Sequence, residues 1–77
     1  PAPSMAKVTC MPNPFSANTT IELDGLFAYE LYDANGTLHQ QGQATNQLMI
    51  GDTLPRGIYF VRVSQNQSSQ TVKLIKM

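Results

Sequence analysis

Residues 54–63, LPRGIYFVRV, restrict the fold more than any other stretch of this chain. Pro55 and Gly57 supply a turn, and Ile58, Tyr59, Phe60, Val61 and Val63 behind it are β-branched or aromatic, so turn chemistry and strand propensity agree. Alternation sends Tyr59, Val61 and Val63 to a core face and Ile58 and Phe60 to the opposite one. The spacing Leu54-x-x-Gly57-x-Tyr59 also fits a tyrosine corner, in which a tyrosine at the start of a late strand bonds through its hydroxyl to upstream backbone. A sandwich of antiparallel strands is the expected frame.

The rest of the chain supplies short strands to match. Residues 1–5, PAPSM, read as linker, because proline and alanine favour an extended tether over packed structure. Met5 to Met11 alternates, with Ala6, Val8 and Cys10 on one face, as a half-buried first strand does. Pro12-Asn13-Pro14 ends it, since two prolines remove two donors and fix two φ angles; Phe15 behind them is placed to plug one end of the core. Residues 18–23, with Thr19, Ile21 and Leu23 inward, and residues 26–33, with Phe27, Tyr29 and Leu31 inward, read as two strands joined by an Asp24-Gly25 hairpin turn. Asp33-Ala34-Asn35-Gly36 reads as a turn, because a calcium loop needs further oxygen ligands and a later glutamate.

Residues 37–43 read as a polar edge strand anchored by Leu38, and residues 47–50 as a short strand with Leu48 and Ile50 inward. SQNQSS, residues 64–69, is a polar loop before a last strand at residues 71–76. Seven short strands at close spacing, with no helical periodicity, predict an all-β fold, a small immunoglobulin-like antiparallel β-sandwich.

Several function classes fall away at this point. A chain of 77 residues makes one domain that buries only roughly 60% of its unfolded surface, which leaves little material for a deep cleft. Five basic and five acidic residues give a formal net charge of zero, so no electrostatic footprint points to nucleic acid. No apolar run approaches the ~20 residues that span a bilayer, so direct membrane insertion is not expected. Nor is there a charged n-region with an apolar run behind it, and a start at Pro1 reads as a segment of a longer protein. Cys10 is the single cysteine and reads as a buried apolar residue without an activating partner.

His39 stands alone and reads as a solvated edge-strand residue rather than a metal ligand. No nucleophile–base pair, paired carboxylates or glycine-rich phosphate loop is evident, so neither enzyme activity nor a cofactor is expected. Two readings remain open on these residues: an immunoglobulin-like adhesion or spacer module, and a small carbohydrate-binding sandwich presenting Tyr32 and Phe60.

Three stretches taken together resemble the C-terminal sorting domain, type A, of the type IX (Por) secretion system of Bacteroidetes. They are Pro12-Asn13-Pro14-Phe15 with the strand Asn18-Thr19-Thr20-Ile21; Leu31-Tyr32-Asp33 with Asn35-Gly36; and Leu54-Pro55-x-Gly57-Ile58-Tyr59-Phe60-Val61-x-Val63. The ending Thr71-Val72-Lys73-Leu74-Ile75-Lys76 fits the same family, and the similarity spans residues 8–76. Cys10-Met11, the short Asp24-Gly25 connection and the added Met77 depart from its pattern. The resemblance implies that residues 6–77 form a sorting domain carrying an upstream cargo across the outer membrane to the bacterial cell surface or the medium, via the periplasm.

Implied partners are an outer-membrane shuttle barrel, the translocon and a cysteine-protease sortase that cleaves at or before residues 1–5. Recognition by the translocon or shuttle is expected at Gly57, Tyr59, Lys73, Leu74, Ile75 and Lys76. Pro12, Asn13, Pro14, Asp33 and Gly36 are expected to be structural. The edge of the last strand is expected to accept an added strand, and an exposed edge invites self-association.

Overall fold

The computed structural model describes residues 7–77, and the linker assigned to residues 1–5, with the start of the first strand at Met5 and Ala6, lies outside them. Five strands form one antiparallel sheet: β1 (Thr9–Met11), β2 (Thr19–Asp33), β3 (Leu38–Ile50), β4 (Gly57–Gln65) and β5 (Ser68–Lys76). Along its whole length β2 pairs with β3 on one side. On the other it pairs first with β1, at residues 20–22, and then with β4, at residues 28–33; β5 adds beyond β4.

Seven expected strands are therefore five, because two pairs of predicted strands are continuous. Asp24-Gly25 is not a hairpin turn: the register steps from Leu23↔Asn46 to Leu26↔Thr45, which leaves Asp24 and Gly25 as a bulge inside β2. Gly25 has φ +90°, Asn46 opposite has φ +70°, and the Asn46 Oδ1 accepts the Gly25 N–H at 2.8 Å. Both strands of the long hairpin bend at one place, so the sheet curls over its own concave face, and the fold is an all-β, antiparallel curled sheet of five strands instead of seven.

That concave face is the core. Ile21, Leu23, Phe27, Tyr29 and Leu31 of β2, Tyr59, Val61 and Val63 of β4, and Leu74 of β5 are all buried there, with Val8, Cys10, Phe15 and Ile50. Period-two alternation accounts for every inward residue of β2 and β4 as read from the sequence. Leu38 departs from its expected role: it is 42% exposed, because β3 lies at the sheet edge and touches the core from its middle onward, through Ala44, Leu48 and Ile50. The β4–β5 loop is also tighter than SQNQSS suggests. Gln65 pairs with Ser68, and Asn66 and Gln67 take positive φ as a two-residue turn.

Candidate recognition surface

The end of β5 is held by the proline-flanked bend. Both Met11-Pro12 and Asn13-Pro14 are cis, and the Asn13 side chain lies against β5 as a third peptide group would. Its Nδ2 donates to the Lys73 carbonyl at 2.8 Å and its Oδ1 accepts the Ile75 N–H at 3.1 Å. Phe15 continues the ladder: its N–H donates to the Ile75 carbonyl at 2.9 Å, and its carbonyl accepts the Met77 N–H at 2.8 Å. The outer edge of β5 from Lys73 onward is thus already paired within the chain.

Lys76 closes the curl. It is 8% exposed, and its Nζ donates to the Ala17 carbonyl at 2.8 Å and to the Gly51 carbonyl, 5.2 Å above the Phe15 ring. One ammonium therefore ties β5 to the segment after β1 and to the turn after β3. Gly51 has φ +97°, and a Cβ there would come 2.5 Å from the Phe15 ring, so glycine is what lets Phe15 seat beneath the lysine.

The expected recognition residues divide between the two faces. Leu74, Lys76 and Tyr59 point inward; the Tyr59 hydroxyl donates to the Pro55 carbonyl at 2.7 Å, which is the tyrosine corner. Lys73 and Ile75 point outward, and Gly57 opens β4 as the register partner of Lys76. Outward, Ile75 pairs across strands with Ile58, and Phe60 sits between Tyr32 and Lys73. Ile58 and Ile75 are 42% and 37% exposed, and the face they form carries a rim of charge from Lys73 and from Arg62, 3.9 Å from Glu30. Burial, followed by the neighbouring Glu30 carboxylate, pushes the Tyr32 phenol up.

At the same end of β4, where Asp33 pairs with Tyr59, Asp33 and Gly36 build the β2–β3 turn. Asp33 Oδ1 accepts the N–H groups of Asn35 and Thr37 at 2.8 and 3.0 Å, and Gly36 takes φ +85°. His39, expected to stand alone, instead places Nε2 2.8 Å from Asp33 Oδ2 and its ring edge-on to Tyr59. The His39 bond, then the Thr37 and Asn35 N–H groups, hold the Asp33 carboxyl below its ordinary value. Burial pushes the Cys10 thiol up to about 11, so it is a weak nucleophile at neutral pH.

Sequence reasoning missed Ala17, Gly51 and Asn46 as partners. Two of them act through backbone carbonyls, which carry no side-chain signature. Asn46 had one: an asparagine inside a polar strand tolerates positive φ.

In comparison with known proteins, residues 9–77 match the model of a family described as the secretion system C-terminal sorting domain. No curated protein matches the chain.

Proposed function

The chain belongs to the family of secretion system C-terminal sorting domains, the sorting signals of type IX secretion, and from this premise we propose how its surface is used. A signal of this family sends an upstream cargo to the cell surface or outside through the outer membrane. We infer that residues 6–77 act as one folded signal and that the machinery reads the convex face around Ile58, Phe60, Lys73 and Ile75. The observation that carries this reading is the division of the last strand: Leu74 and Lys76 are committed to the interior, while Ile75 and Lys73 stay outside beside a second exposed isoleucine. An apolar centre with a basic rim is the anatomy of a protein-docking patch.

In this proposal the partner on that face is the outer-membrane shuttle barrel, and the domain then passes to the translocon and to a sortase that cuts at or before residues 1–5. Strand addition along Lys73–Lys76 is not part of it, because Asn13 and Phe15 hold that edge. The two halves of the bent β2–β3 hairpin act as the opposing layers of an immunoglobulin-like unit. The domain itself does no chemistry, in keeping with a thiol that burial keeps protonated.

A reporter fused ahead of this domain in a type IX-competent cell tests the face. Ile58→Ser combined with Ile75→Ser alters two side chains already about 40% exposed, so the melting midpoint should barely move. Surface delivery should fall several-fold. Delivery at the wild-type level would remove this face from the recognition surface.

A further inference from the structure

The third strand is a long edge without the usual protection. Among the described residues β3 pairs only with β2, so its other side presents backbone donors and acceptors to solvent. Natural edges are blunted by lysine, other charges or proline. LHQQGQATNQLMI contains no Lys, Arg, Asp, Glu or Pro, and its one titratable side chain, His39, is turned back onto Asp33. The contrast with the end of β5 is direct, since that edge is covered from Lys73 onward by Asn13 and Phe15. Two irregularities bound the open stretch: a register shift opposite Leu31/Tyr32 and the bend at Asn46. Between them residues 40–45 run in unbroken register, and residues 38–43 are all exposed.

We propose that this stretch pairs antiparallel with the same stretch of a second copy of the chain, joining two curled sheets edge to edge. The occupant is argued from the strand itself. The formal net charge is zero, and no like charges meet when β3 faces its own copy. Gln41 and Gln43 are exposed amides on the convex side, each able to donate and accept. A twofold axis at Gly42 sets Gln41 of each copy opposite Gln43 of the other, so the strand is complementary to itself. A lysine- or glutamate-bearing strand finds no counter-charge here. A single strand-to-strand seam is small, so the association is weak and concentration-dependent. This inference does not depend on the sorting role.

Sedimentation of the 77-residue chain over a concentration series tests it, with two double variants of the exposed glutamines. The wild-type average mass should rise from one copy toward two. Gln41→Lys with Gln43→Lys sets like charges opposite each other twice and should weaken association by roughly tenfold at low salt. Gln41→Lys with Gln43→Glu sets opposite charges in the same places and should restore association, with the gain fading at high salt. Melting midpoints of both variants, compared with wild type, report that the fold is kept. A wild type that stays single-copy into the millimolar range overturns the proposal. So does a double-lysine variant that associates as wild type does, or a lysine–glutamate variant as weak as the double lysine.

Discussion

Two buried hydroxyls show how differently single side chains stabilise this sheet. Tyr59 is 4% exposed, and its hydroxyl donates to the Pro55 carbonyl at 2.7 Å, which fixes the turn ahead of β4. Tyr59→Phe keeps the ring against His39 and deletes that bond, so denaturant unfolding should show a loss of about 1 kcal/mol. An unchanged midpoint would mean that the corner is incidental. Thr19 is fully buried, and among the described residues its Oγ1 has no partner. Burying a hydroxyl without a bond costs about 1–3 kcal/mol, so Thr19→Val, which keeps the shape, should stabilise by about 1 kcal/mol. A valine variant that melts lower would show that the hydroxyl is bonded after all. The corner was legible from spacing alone, because its geometry is local: four residues separate donor and acceptor. Nothing local marks Thr19, whose environment is assembled from distant strands.

At the scale of elements, the β2–β3 hairpin is where sequence reasoning and structure part. Asp-Gly signals positive φ, and a hairpin turn and a bulge both need it; only the facing strand decides, and Asn46 lies 21 residues away. Inward and outward residues of β2 and β4 were legible because period two survives a bulge, as Leu23 and Phe27 both facing the core illustrate. The far end of this hairpin carries a pH dependence. Asp33 is held below its ordinary value of 3.8 by His39 first and by backbone N–H groups next. A depressed carboxyl contributes stability that is complete above the ordinary value and is lost as pH falls through the lower, folded one. The melting midpoint should therefore drop below about pH 4, and Asp33→Asn should flatten that part of the curve while lowering the midpoint at neutral pH. Parallel curves for the two proteins between pH 2 and 6 would assign the acid sensitivity elsewhere.

For the whole molecule, the question is what the last strand, β5, does in a signal proposed to act as a folded unit. Sequence alone reads Lys73 and Lys76 as one basic ending, yet alternation puts them on β5 in opposite roles: Lys73 lies outside, and Lys76 bridges carbonyls 59 and 25 residues away. Removing residues 71–77 takes away the interior anchor and the outer face together, so loss of transport after truncation does not distinguish folding from recognition. Lys76→Met does. It leaves the outer face intact and strips the Ala17 and Gly51 carbonyls of a charged donor, which should cost about 2–3 kcal/mol. If Lys76 acts only by closing the curl, reporter delivery by Lys76→Met should match wild type at a temperature where the variant stays folded, and should fail as it melts. Delivery that is lost while the domain remains folded would instead mean that the lysine is read directly, which requires β5 to peel away from Gly51 during transport.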